Sequence, residues 1–216
     1  RTASYVFPSN GIYQVNFSPD WNTVINASPV SPLSSRFAYL NPPADIAITD
    51  LAVAKSVIGQ GNLSTVNVTF SSQGILNNQT LNFTVCANST AIYSQPITIG
   101  ATVNPTVGFE WNTTGFAYGN YTLNAYVEPL PVEINVANNN FTCNSSVHIG
   151  IPGDISGFTP GTSDGVCNMR DISYLIVHFN THPGSLNWNP NCDIDSSGRV
   201  DMKDIVIAVM NFDKHE

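Results

Sequence analysis

From Asp45 to Ile151 apolar residues recur at every second place. Val66, Val68 and Phe70 alternate with Thr65, Asn67 and Thr69, and Leu81, Phe83 and Val85 with Asn82 and Thr84. Tyr121, Leu123, Ala125 and Val127 alternate with Thr122 and Asn124 in the same way. A period of two belongs to strands with one buried face. Turn-forming runs (GQGN at 59–62, SSQG at 71–74, YGN at 118–120, NNN at 138–140) divide the region into about seven strands, enough for a β-sandwich of about 100 residues. The pattern then changes. Ile172, Leu175, Ile176 and Phe179 mark one helical face, and Met202, Ile205, Ala208, Val209 and Phe212 mark another.

Ahead of the sandwich, residues 1–44 hold only short strand-like pieces, SYVF (4–7), GIYQVNF (11–17) and NTVINA (22–27), followed by the Pro/Ser stretch SPVSPLSS (28–35). They carry too little apolar surface for a core of their own. They are read as an extended arm, either a stalk or a donor of strands to a sheet edge in this chain or in a neighbouring copy. A sandwich that already has its strands tilts this towards a neighbour. The expected organisation is therefore an arm (1–44), a sandwich (45–150) and a small helical domain (151–216), mainly β overall.

Composition sharpens that division. The 216-residue chain is 42% hydrophobic and only 10% charged, with Asn, Ser, Thr and Gly in place of charges. Its net charge of −8 argues against a nucleic-acid partner. No apolar run reaches the ~18 residues of a membrane span. The start at Arg1, without methionine, is read as a processed form. Nine of the 15 acids fall after residue 150.

The acceptor pattern N-x-[ST] is distributed the opposite way. It occurs eleven times before residue 150, at Asn16, Asn26, Asn62, Asn67, Asn78, Asn82, Asn88, Asn112, Asn120, Asn140 and Asn144, and not at all afterwards. Chance predicts about four for so loose a motif. The excess predicts a secreted or cell-surface protein with N-linked glycans. Proline follows the triplets at Asn16 and Asn26, which makes these the poorer acceptors. Strand parity sets Asn67 and Asn82 opposite the apolar faces, where a sugar projects outward. Four cysteines fit the same oxidising compartment. The expected bridges are Cys86–Cys143 and Cys167–Cys192, one in each region, although sequence alone permits three connectivities. Cys86 shares the outer face of Asn82, so a bond to another chain stays open.

The acids after residue 150 are ordered. In DIDSSGRVDMKD (193–204) oxygen-bearing side chains stand at places 1, 3, 5, 9 and 12, with glycine at 6. Ca²⁺ takes six to eight oxygens at about 2.4 Å, and a twelve-residue loop supplies them from places 1, 3, 5, 7 (a carbonyl), 9 and 12. The ligands expected here are Asp193, Asp195, Ser197, the Arg199 carbonyl, Asp201 and Asp204, with Gly198 at the turn. A second copy lies 33 residues upstream, where CNMRDISYLIVHFN (167–180) aligns with VDMKDIVIAVMNFD (200–213). Its ligands are Asp154, Asp164, the Val166 carbonyl, Asn168 and Asp171, with Gly165 turning. Six extra residues leave the third place open to Ser156, to a residue near Ser163, or to water. Two in-phase loops, each leading into the same helical pattern, predict two bound Ca²⁺ ions on which folding of this domain depends.

Two resemblances follow from these residues. LNFTVCANSTAI (81–92), FEWNTTGFAYGNYTLNAYVEPLP (109–131) and NNNF (138–141) resemble the CARDB-type adhesion modules of prokaryotic surface proteins. That implies an immunoglobulin-like fold with a display or adhesion role and no catalytic residues. The duplicated loop–helix, the intervening HPGSLNWNPNCDI (182–194) and aspartate at place 12 resemble a dockerin domain of archaeal surface proteins. That implies two EF-hand-like calcium loops and a protein-binding surface on the helices, commonly for a cohesin. The seven residues at 157–163, where the repeat has one, depart from that pattern. His148, His178, His182 and His215 lack a nucleophile motif, and Glu110, Glu128 and Glu133, from which a carboxylate pair for glycoside chemistry could be drawn, are of a kind common at strand ends. The expectation is a non-enzymatic subunit of an extracellular filament, sheath or surface layer whose partners are copies of itself. The other reading is an anchoring protein that docks into a cohesin-like partner.

Overall fold

The computed structural model of the chain describes residues 12–17, 24–30, 44–74, 78–100, 104–131, 133 and 135–216. The expected strand at 4–7 lies outside them. The chain divides into two compact units, Arg1–Pro42 and Pro43–Glu216. In the first, β1 (Ile12–Phe17) and β2 (Val24–Val30) pair antiparallel as a two-stranded ribbon. Residues 28–30 of the Pro/Ser stretch thus belong to a strand.

The second unit holds eight strands in two sheets, one more than the turn count predicts. They are β3 (Asp45–Val53), β4 (Val57–Gly59), β5 (Leu63–Gln73), β6 (Gln79–Ala87), β7 (Thr90–Ile99), β8 (Thr106–Asn112), β9 (Gly119–Val127) and β10 (Asn140–Gly150). One sheet has the order β4-β10-β9-β6-β7 and the other β3-β5-β8. All pairings are antiparallel except the three-residue β4, which runs parallel to β10. Three residues carry too little pattern to show a period, so β4 is invisible to it.

The inward set is the one that alternation selects. Val66, Val68, Phe70, Phe83, Val85, Leu123, Ala125 and Val127 are buried in one core, and Asn67 and Asn82 are exposed on the opposite faces. Phe70 meets Phe83 edge to face at 5.0 Å, and Tyr93 of β7 stacks on Phe109 of β8 at 4.3 Å across the two sheets.

Beyond β10 the chain builds a second, smaller core from Ile151, Ile155, Cys167, Leu175, Cys192, Ile194, Val200 and Ala208, joined by Val57 from β4. Its helices are α1 (Met169–Val177) and α2 (Met202–Met210), nine residues each. Helices this short are marginal alone and depend on packing and caps. Each opens with a capping box: Asn168 with Asp171, and Asp201 with Asp204. The expected apolar faces are only half correct. Leu175 and Ala208 are fully buried and Ile172 and Ile205 partly so, whereas Ile176, Phe179, Met202, Val209 and Phe212 are exposed. A two-helix layer buries one narrow stripe per helix, and the rest of the apolar surface faces outward.

Neither expected bridge forms, and all four cysteines are free. For Cys86 and Cys143 the sheet order gives the reason. Strand β9 runs between β6 and β10, with Asn124 opposite Cys86 on one side and opposite Thr142 on the other. Strands two apart are separated by about 9.5 Å, and a disulfide needs Cα atoms within about 6.8 Å. Cys167 and Cys192 share the small core, where the Cys167 thiol is turned to the Ala208 carbonyl at 3.3 Å. Burial pushes both of these thiols up to about 12.

Candidate metal centre in the C-terminal loops

In the second loop, Asp193, Asp195 and Asp204 bring carboxylate oxygens within 4.8 Å of one another. Backbone N–H groups hold that arrangement. Ser197 and Gly198 donate to the two oxygens of Asp193 at 2.9 Å each, and Ser197 also donates to Asp195 at 3.0 Å. Ile194 and Asp195 donate to one oxygen of Asp204 at 2.7 and 3.2 Å, and Asp201 to the other at 2.8 Å. The Ser197 hydroxyl donates to the Arg199 carbonyl at 3.2 Å. Hydrogen bonds thus connect Asp193, Asp195, Ser197, Arg199 and Asp204, of which the three aspartates bring their carboxylates together, and Asp201, the ninth place, caps α2. Gly198 takes φ +85°, the left-handed turn that glycine makes without strain.

The first loop has the same scaffold. Gly165 and Asp164 donate to the oxygens of Asp154 at 2.9 and 3.3 Å. Ile155 and Ser156 both donate to one oxygen of Asp171 at 2.8 Å, and Asn168 to the other at 2.8 Å. Ser156 thus occupies the backbone position that Asp195 has in the second loop, while the Ser163 hydroxyl donates to Asp154 at 2.6 Å. The extra residues bulge outward past Ser156. The Asp164 carboxylate turns to Arg170 at 3.3 Å, and the Arg170 guanidinium lies 4.2 Å over the Phe158 ring. With a serine matching Asp195, and with Asp164 engaged, a trio of close carboxylates forms only in the second loop among the described residues.

The eighth residue of each loop pairs with the chain that follows the other repeat's helix. Val200 accepts from Asn180 at 2.8 Å and donates to Thr181 at 3.0 Å. Cys167 accepts from Asp213 at 2.8 Å and donates to Lys214 at 3.2 Å. The spacing of 33 residues holds for every member (167 and 200, 180 and 213, 181 and 214), and Asn180 and Asp213 share φ near +63°.

Burial dominates the electrostatics. Asp154, Asp171 and Asp204 are fully buried and Asp193 nearly so. Desolvation raises the Asp171, Asp193 and Asp204 carboxyls above the usual range, with backbone N–H bonds opposing in each and Lys55 opposing at Asp193. A divalent cation supplies the positive charge that such carboxylates lack, and hard oxygen donors in this number suit Ca²⁺.

Lys55 was not among the residues expected from the sequence. It lies between β3 and β4 and is 5% exposed. Its ammonium donates to the Asp193 carbonyl, to the Ile194 carbonyl at 3.4 Å and to the Ser196 hydroxyl at 2.7 Å. Ser196, held at φ +58°, donates in turn to Leu63 at 2.9 Å. Beside it, Asn191 accepts from Ser56 and Val57 N–H at 3.0 and 3.3 Å and donates to the Ser56 hydroxyl at 2.9 Å. Burial lowers the Lys55 pKa, and Asp193, Asp204 and Asp195 oppose that shift. One sign was legible: Lys55 is the sole Lys or Arg between residues 37 and 169. A second link joins the Glu216 carboxylate to His148 of β10 at 2.9 Å, and Glu216 N–H donates to Gly165 at 3.0 Å.

The remaining candidates are placed as follows. Asn67, Asn78, Asn82, Asn88, Asn112, Asn120, Asn140 and Asn144 are exposed. Asn62 differs, because its amide nitrogen, where a sugar attaches, is buried. For Asn16 and Asn26, only the strand backbone is described. Glu128 bonds Asn82, and Glu133 accepts from Ile46, Leu130 and Asn139, which are structural roles. His178 contacts the Asn187 carbonyl at 2.6 Å and His182 the Pro183 carbonyl at 3.0 Å.

No protein-family model matches the sequence, and no curated protein matches it. Among solved structures, similarity extends to a CARDB domain from Pyrococcus furiosus in complex with di-metal ions (22% identity, 50% of this chain and 96% of that one, TM-score 0.44). A domain described as that of a cell surface protein from Methanosarcina acetivorans is similar at 25% identity, covering 50% of this chain and 91% of that one, with TM-score 0.39. A type II cohesin–X-dockerin complex from Acetivibrio cellulolyticus overlaps at 20% identity, 62% of this chain and 83% of that one, with TM-score 0.27.

Proposed function

We propose that this chain is a non-enzymatic structural subunit of an extracellular glycoprotein assembly, a filament, sheath or surface layer. Strand addition by its N-terminal arm and a calcium-stabilised C-terminal module join the copies. The observation that carries this reading is the buried joint at Lys55, where the sandwich grips the second acidic loop through the backbone of Asp193 and Ile194. A module made rigid by metal and bolted to a sandwich transmits load, and the exposed sequons of the sandwich suit a surface in contact with solvent. Calcium is held by Asp193, Asp195, Ser197, the Arg199 carbonyl, Asp201 and Asp204 in one loop. In the other it is held by Asp154, Ser156, Asp164, the Val166 carbonyl, Asn168 and Asp171. Bound there, the ion neutralises the carboxylates and fixes the loops. No helix among the described residues is long and apolar enough to cross a membrane.

A specific observation favours a second reading. Ile176, Val177, Val209 and Met210 leave an apolar surface exposed on both helices, the kind of face a cohesin-like partner covers. Electron microscopy of the purified chain in calcium separates the two. Ordered polymers that are lost when residues 1–27 are removed support the subunit reading. A monomer that binds a cohesin tightly, with or without the arm, rejects it.

A further inference from the structure

The two sheets of the sandwich are unequal, five strands against three. At one end β4 is covered by the C-terminal module, since Val57 belongs to the small core. At the other end β7 and β8 are the edge strands of their sheets, and they meet where Tyr93 stacks on Phe109. Ile92, Tyr93 and Ile97 of β7 and Val107 of β8 pack against the core there but are only half-buried. These side chains keep part of their apolar surface exposed, forming a seam along the paired edges.

Edges that must not pair are blunted in proteins by bulges, prolines or brevity. Strand β3 has a bulge between Ile48 and Asp50, β7 carries Pro96, and β4 has three residues. Strand β8 has seven residues, with no proline, no lysine and no bulge. Its peptide orientation follows from two bonds flanking the register: Phe70 N–H donates to the Pro105 carbonyl, and Thr113 N–H to the Asn62 carbonyl. Odd-numbered residues therefore bond β5, and the backbone groups of Thr106, Gly108 and Glu110 point to the open side. Glu110 is the one charged side chain on this edge, and no strand pairs with the edge among the described residues.

We infer that the outer edge of β8, with the seam between β7 and β8, is the acceptor for residues 12–17 of a neighbouring copy. The inference rests on the subunit reading above and names its contact. The occupant is argued from the chain itself. A two-stranded ribbon is marginal in isolation, and β1 and β2 offer each other only one side of their backbones. In IYQVNF the residues Tyr13, Val15 and Phe17 alternate with Gln14 and Asn16. Its six residues come within one of the length of β8, and the apolar set turned inward covers the seam over Tyr93, Ile97 and Val107. The exposed sequons Asn67 and Asn112 lie on the outer face or at the strand's end, which leaves the edge clear for pairing.

The test uses the full chain in calcium, with assembly followed by light scattering and electron microscopy. Three samples are compared: the unsubstituted chain, the chain lacking residues 1–27, and Glu110→Pro. The proline removes an outward N–H and no bond to β5. Glu110→Pro is expected to keep its calcium-dependent melting and to lose polymer mass at least about tenfold. If the arm deletion prevents assembly and Glu110→Pro assembles normally, β8 is not the acceptor, although the subunit reading stands. If both assemble normally, the arm reading itself fails. Hydrogen exchange on the unsubstituted chain decides the matter should the proline variant not fold. The amides of Gly108 and Glu110 slow by about tenfold or more on assembly, and unchanged exchange overturns the inference.

Discussion

Lys55 is a buried cation among backbone carbonyls and acids, and the physical chemistry of such a group is lopsided. Pairing it adds modest stability, whereas removing it leaves two carbonyls and a hydroxyl without their donor beside Asp193 and Asp204. Lys55→Met preserves the stem and deletes the charge. Urea unfolding in saturating calcium is expected to show a loss of about 3 kcal/mol; a change within about 0.5 kcal/mol would mean that the joint carries no load. The sequence showed this residue only as an isolated base. Two of its three partners are main-chain atoms 138 and 139 positions away, and no side-chain pattern encodes a carbonyl. The acidic loop was legible for the opposite reason, because its carboxylates are side chains at fixed local intervals.

At the level of elements, what could be read depended on how local the cause was. Alternation placed Val66, Val68 and Phe83 inside because each strand has only two faces. It could not order the strands, and β9 came to separate Cys86 from Cys143. Helical periodicity found α1 and α2 but could not say which apolar residues meet the core. The second core is too small to take Ile176 or Val209. The likeness of Ser156 to Asp195 shows only in the bonding, where its N–H shares Asp171 with Ile155. The packing of α2 on the first loop gives a prediction at this scale. Gly153 takes φ +103°, and a Cβ there would lie 2.6 Å from the Ala208 Cα, whereas Gly115, at φ +83°, has open space around it. Gly153→Ala combines backbone strain with overpacking and is expected to destabilise by more than about 2 kcal/mol. Gly115→Ala carries the strain alone, about 1 kcal/mol. Calorimetric midpoints that drop equally for the two would refute the close approach.

For the whole molecule, the proposed calcium sites set metal and protons in competition for the same oxygens, with opposite expected results. Without metal, Asp171, Asp193 and Asp204 hold protons more tightly when folded than at their ordinary value of 3.8. The folded state then binds the extra protons as pH falls from neutral, and stability rises until the unfolded carboxyls titrate near 3.8. With calcium bound the carboxylates must stay ionised, so the same acidification expels the ion and stability falls. Thermal melts from pH 7 to about 4 are expected to move upward in chelator and downward in calcium. Parallel curves would show that these carboxylates are not the ligands. The crossed pairing of the repeats adds a consequence of its own. Val200 is completed by Asn180 and Thr181, and Cys167 by Asp213 and Lys214, so each half borrows its closing segment from the other. Neither half is a viable fragment, and damage to one is felt in full by its twin: the pair survives or collapses as a single body.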